Sequence, residues 1–105
     1  MSTYIARSYW VGDYADGYGH TKVGSSAIEA GLSTRTRRGE ITNPEELIGA
    51  ALSGCFTLVF ARQLSEAGHV PDFIECTAAV DIEQNNGDTV IQKITLYVDV
   101  AINLK

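Results

Sequence analysis

Three residue types that together could activate a thiol lie within about twenty positions of one another. Cys55 ends the stretch Asn43-Pro44-Glu45-Glu46-Leu47-Ile48-Gly49-Ala50-Ala51-Leu52-Ser53-Gly54-Cys55-Phe56. Arg35, Arg37 and Arg38 form the nearest cationic cluster, and Glu45 stands between that cluster and the cysteine. The nucleophile of cysteine chemistry is the thiolate, and a neighbouring cation or a helix N-terminus favours it. In a strand, Arg35 and Arg37 would point to the same side, so both could face a thiol. Composition alone favours the plainer reading, in which Cys55 is a small residue packed in an apolar helix. Cys76, beside Ile74 and Ala78 in an alternating pattern, reads as core filling in the same way.

The element that must position Cys55 is a helix. Asn43 suits the N-cap, and Pro44 suits the first helical position, where no backbone N–H is needed. Glu45 and Glu46 complement the positive end of the helix dipole, and Gly68 is a natural terminator. A helix over 44–67 follows, about 36 Å long. If it is continuous, Cys55 lies about three turns in, beyond the reach of the dipole. Glu45 is then about 15 Å away along the axis. Two arrangements would still activate the thiol: a break at Ser53-Gly54, or an arginine long enough to link Glu45 to the sulfur. Glu45 also reads simply as a solvated capping carboxylate. Apolar and small residues cover most sides of the helix between Leu47 and Ala61, which predicts burial nearly all round. A chain of 105 residues has little material to wrap such a helix, so homodimerisation is expected.

Around the helix the pattern is β. Tyr4 to Val11, Thr21 to Ser26 and Ala27 to Thr36 read as strands separated by glycine-rich turns, an antiparallel meander. After the helix comes a hairpin about Asn86-Gly87. Its inward face holds Ile74, Cys76, Ala78, Val80 and Ile82 on one strand, and Ile94, Leu96, Val98, Val100 and Ile102 on the other. The fold class is α+β, in one domain over residues 1–105. The end, Ala101 to Lys105, follows a strand directly and reads as cut off rather than completed.

The net charge of −5 and the absence of a large basic patch argue against a nucleic-acid partner. No apolar run approaches the ~20 residues of a membrane span, and the N-terminus lacks the features of a secretory signal, so no membrane partner and a cytoplasmic address are expected. Two cysteines without framework spacing suit a reducing compartment, and His20 and His69 are too far apart in sequence to suggest a zinc site. No metal or other cofactor is expected.

The segment Thr42 to Ala51 followed by Ser53-Gly54-Cys55-Phe56 resembles the signature of the OsmC/Ohr family of thiol-dependent peroxidases. Trp10-Val11-Gly12-Asp13 with Gly17 and Gly19 resembles the family's N-terminal hairpin. Thr34-Arg35, and Ser65-Glu66-Ala67-Gly68 with Pro71 and Ile74, agree with it too. The resemblance implies an OsmC-like fold in which Cys55 is the peroxidatic cysteine, Arg35 stabilises its thiolate and Glu45 orients Arg35. It implies reduction of organic hydroperoxides and hydrogen peroxide in oxidative and osmotic stress defence, with a dihydrolipoyl-type dithiol as reductant and a homodimer as the working form. Leu52, Phe56 and residues of a partner subunit would supply an apolar wall for an alkyl hydroperoxide. The family's resolving cysteine, in a later Cys-Pro segment, has no match here, and Cys76 does not replace it. The resemblance therefore also implies a C-terminal truncation, with a helix and strand missing. Two alternatives follow from that departure: a catalytically incompetent dimeric binding or structural module, and a thiol redox sensor.

Overall fold

A computed structural model describes residues 1–24, 29–32 and 41–102. The architecture is α+β, with antiparallel strands, one central helix and a hairpin. Two compact units are distinguished, Met1–Pro44 and Glu45–Lys105.

The first unit is a four-stranded sheet. Strands β1 (Ala6–Val11), β2 (Tyr18–Val23) and β3 (Glu29–Leu32) run antiparallel in sequence order, and β4 (Ile41–Thr42) joins β3 in parallel. The expected meander is present over β1 to β3. The parallel β4 is a correction to it: two residues carry too little pattern to be read from the sequence. Gly31 lies inside β3, opposite His20.

The β1–β2 turn is tied down by Trp10. Its indole Nε1 donates to the carbonyls of Gly12 and Asp13 at 3.1 and 3.2 Å. Asp16 N donates to Asp13 Oδ1 at 2.8 Å, and Gly17 N to Asp13 O at 2.9 Å. Gly12 takes a φ of 96°, a conformation that glycine adopts without cost. On one face of this hairpin Ser8 donates to Thr21 at 2.7 Å, and Trp10 covers its cross-strand neighbour Gly19.

The second unit begins with α1 (Pro44–Glu66), unbroken over 23 residues. Ser53 and Thr57 satisfy their hydroxyls within it, donating to Ala50 O at 3.2 Å and Ser53 O at 2.8 Å. It ends in a Schellman motif: His69 N donates to Leu64 O, Gly68 N donates to Ser65 O, and Gly68 has a φ of 85°. By length and composition alone α1 is apolar enough to cross a membrane, with mean hydropathy 1.5 over 18 residues. The sequence expectation missed this because Ser53, Thr57 and five glycine or alanine positions interrupt the run without making it polar.

Strands β5 (Pro71–Asn85) and β6 (Asp88–Ile102) form the second sheet. The Asn86-Gly87 turn has both residues at positive φ, 54° and 85°, which matches the twist of a tight hairpin. Cys76 opposes Val98, Ala78 opposes Leu96 and Val80 opposes Ile94, so the expected apolar face is assembled across the strands. A bulge after Asp81 then places Ile91 opposite Ile82, which carries that face on toward the turn.

Helix α1 meets the hairpin at Gly49, the buried residue of the helix. A Cβ there would stand 3.1 Å from Val80 Cγ2 and 3.5 Å from Ala78 Cβ. Within this chain the rest of α1 is largely uncovered, so a single copy does not supply the expected burial nearly all round. Ile48, Leu52, Val59 and Leu58 are 40–74% exposed, and no hydrophobic side chain is fully buried among the described residues.

Candidate active site

The helix sets the geometry around Cys55. At about 100° per residue, Cys55 is turned about 120° from Gly49, away from the hairpin. Its thiol is free and exposed. Neighbours on the same side, at i−7, i−4, i+3 and i+4, are Ile48, Ala51, Leu58 and Val59, all exposed. Leu52, at i−3, stands at the margin of this face and is 40% exposed. The cysteine therefore stands on a continuous apolar strip rather than inside a packed core.

The expected apolar wall is partly corrected. Phe56 follows Cys55 directly, so it points about 100° away, toward the side marked by Gly49. It is half-buried and its ring meets Phe60, with centroids 5.7 Å apart and planes tilted by 45°. Ile48, Ala51 and Val59 replace it beside the thiol. Counting three and four residues from Cys55 would have found Ala51 and Val59 in the sequence.

Glu45 lies half-buried in the first helical turn. Since α1 is continuous through Ser53 and Gly54, the arrangement with a broken helix is ruled out. Glu45 and Cys55 are carried by one rod and are held apart by about 15 Å along its axis. No carboxylate oxygen of Glu45 can reach the thiol. Arg35, together with Arg37 and Arg38, lies outside the described residues.

Cys76 occupies a different face. It shares one side of β5 with Ala78 and Val80, the residues that meet Gly49, and it is half-buried. The two thiols are thus presented differently: Cys76 on the apolar face of the hairpin, Cys55 on the outer strip of the helix.

A family model described as OsmC-like protein matches residues 37–105. The chain is 36% identical over 99 residues to Peroxiredoxin OsmC of Escherichia coli (strain K12), a match spanning 91% of this chain and 69% of the relative. The same figures hold for Peroxiredoxin OsmC of Shigella flexneri. Among solved structures, an OsmC-like protein of unknown function from Vibrio cholerae O1 superposes with a TM-score of 0.76 over 100% of this chain and 78% of its own, at 20% identity. With a family model matching well over half of its length and a relative 36% identical, the chain belongs to the OsmC-like protein family.

Proposed function

We propose that this chain is a cysteine-based peroxidase that reduces organic hydroperoxides and hydrogen peroxide at Cys55. Kinship with the peroxiredoxins of E. coli and S. flexneri supports a peroxidase-type function in general. The observation that carries the specific reading is the free, exposed thiol on the apolar strip of α1. A buried structural cysteine would have no need of solvent access, whereas a peroxidatic one must meet its substrate.

In the proposed reaction the Cys55 thiolate attacks the distal oxygen of ROOH. The S–O bond forms as the O–O bond breaks, and the leaving alkoxide takes a proton to depart as ROH. Sulfur is oxidised to sulfenic acid and the peroxide is reduced. Arg35 supplies the cation that favours the thiolate and the developing alkoxide, and Glu45 orients Arg35. A guanidinium is suited to this because it remains charged and can bridge a carboxylate and a second acceptor. Ile48, Ala51, Leu52 and Val59 present the apolar surface against which an alkyl group would lie.

The different placement of Cys76 supports an external reductant. One thiol of a dithiol attacks the sulfenic sulfur and water leaves. The second thiol then displaces Cys55 from the mixed disulfide, which regenerates the enzyme and releases the cyclic disulfide. A dihydrolipoyl-type dithiol fits this role. The proposal takes residues 1–105 as parts of one OsmC-like domain, cytoplasmic and homodimeric, with the Leu58 side of the α1 strip meeting a second copy and Cys55 left open to its substrate. Its biological setting would be defence against oxidative and osmotic stress.

The test is peroxide consumption with cumene hydroperoxide and dihydrolipoamide. Wild-type protein turns over, Cys76→Ser retains turnover and Cys55→Ser loses it. Dimedone labelling of Cys55 without turnover would instead favour a redox sensor, and the absence of both would favour a non-catalytic module.

A further inference from the structure

The second face of the β1–β2 hairpin carries a feature that the peroxidase reading does not use. Alternate residues of a strand share a face, and here β1 presents Arg7 and Tyr9 while β2 presents Lys22 and His20. Arg7 lies directly opposite Lys22, and Tyr9 directly opposite His20. The Tyr9 and His20 rings meet with centroids 5.9 Å apart. These four side chains, with Tyr4 and Ile5, line a concavity of about 620 Å³. That volume falls in the range of small-molecule sites.

The charges on this face are unevenly compensated. On β3, Glu29 lies opposite Lys22, and its Oε2 stands 3.9 Å from His20 Nε2. Among the described residues, neither Arg7 nor Lys22 takes part in an ion pair. Like charges directly opposite on adjacent strands repel, because their Cβ atoms are only about 5 Å apart. Such a pair is unexpected in a chain of net charge −5, whose acidic residues outnumber its basic ones 13 to 8. The opposite face of the same hairpin is neutral, with Ser8 bonded to Thr21 and Trp10 over Gly19.

We propose that this concavity binds a small amphiphilic carboxylate, its anionic head between Arg7 and Lys22 and its hydrocarbon or aromatic body against Tyr4, Ile5 and Tyr9. The guanidinium fork of Arg7 matches the two oxygens of a carboxylate, and Lys22 adds a second positive charge from the other strand. A bound anion would offset the Arg7–Lys22 repulsion, so charge complementarity favours an anionic occupant. The tyrosine rings and Ile5 offer an apolar surface that a bare inorganic anion would not use. This site is independent of Cys55 chemistry.

Amide-resolved NMR titration of the full chain with benzoate at low salt tests the proposal, with benzyl alcohol as the neutral control. Saturable shifts are expected at Ala6 to Tyr9 and His20 to Val23, with benzyl alcohol about tenfold weaker or more. Arg7→Gln with Lys22→Gln should weaken benzoate by a similar factor, while Glu29→Gln should tighten it by removing the acid from that face. If the double variant loses amide dispersion, Arg7→Lys and Glu29→Gln decide: the first should retain part of the binding and the second should strengthen it. Shifts confined to α1, equal binding of benzyl alcohol, no saturable shift at all, or indifference to Glu29→Gln would overturn it.

Discussion

Gly49 of α1 rests on Val80 of β5, so closely that a Cβ at Gly49 would stand 3.1 Å from Val80 Cγ2. This contact sets how near the helix lies to the hairpin and so which helical side is left for Cys55. A larger residue must either displace β5 or push α1 away. Gly49→Leu is expected to lower stability by about 1–3 kcal/mol, the usual cost of overpacking. Gly49→Ala sets two small effects against each other. Alanine gains about 1 kcal/mol of helix propensity, while Val80 and Ala78 must yield by a few tenths of an ångström. Urea unfolding followed by circular dichroism should place Gly49→Ala within about 1 kcal/mol of wild type and Gly49→Leu clearly below it.

A second close approach governs the β1–β2 turn. A Cβ at Gly17 would collide with Asp13 O and lie 2.5 Å from Val11 O, both backbone atoms that no rotamer change can move. Gly17→Ala should therefore cost about 2 kcal/mol or more, since neither atom can yield without moving the backbone. Amide exchange is the informative measurement. Protection should fall along β1 and β2 and remain along β5 and β6. Uniform loss in both sheets would show that the turn is not the local fault.

Much of this fold could be read from local chemistry. Asn43 and Pro44 marked the helix start, Gly68 its end, and Asn86-Gly87 the hairpin turn, because each residue solves a backbone problem within a few positions. The apolar alternation of β5 and β6 gave their shared face. The parallel β4 was not legible, since its partner is set by a distant strand and not by its own two residues. That α1 carries more apolar surface than 105 residues can wrap was legible, but not which helical side is left uncovered, because composition reports how much apolar surface exists and not what covers it. Of the site, Cys55 and Glu45 could be placed on one helix, but only the unbroken helix excludes direct contact between them. Phe56, expected in the apolar wall, turns away from Cys55 because adjacency in sequence is not adjacency around a helix.

The apolar strip beside Cys55 gives the dimer proposal a sharp test. Leu58 is 74% exposed, with Val59, Ile48 and Leu52 each 40–42% exposed around it. Introducing a charge there would leave a carboxylate facing apolar surface in any helix-to-helix interface, a costly burial. Sedimentation at micromolar protein should show a dimer for wild type, and Leu58→Glu should weaken it by about tenfold or more. Circular dichroism should change little, since Leu58 is so exposed in the chain by itself. A monomeric wild type, or a Leu58→Glu variant that dimerises unchanged, would sink the idea.

The last prediction separates Glu45 from Arg35 as actors on the thiol. The axial distance of about 15 Å denies Glu45 any direct role at the sulfur, so whatever it does must pass through a longer side chain. If Arg35 is that side chain, Arg35→Met removes the cation itself. Peroxide-dependent oxidation of Cys55 should then slow by about 10²–10³, the usual effect of removing one preorganised charge-stabilising group. Glu45→Gln leaves the cation but loosens its orientation, and about a tenfold loss is expected. The two losses should not add: the double variant should resemble Arg35→Met alone, because orienting an absent arginine has no value. Rapid-mixing kinetics of sulfenic acid formation, repeated across pH, would measure this. Additive losses would place Glu45 in a role of its own, and a full-rate Arg35→Met would remove the guanidinium from the mechanism.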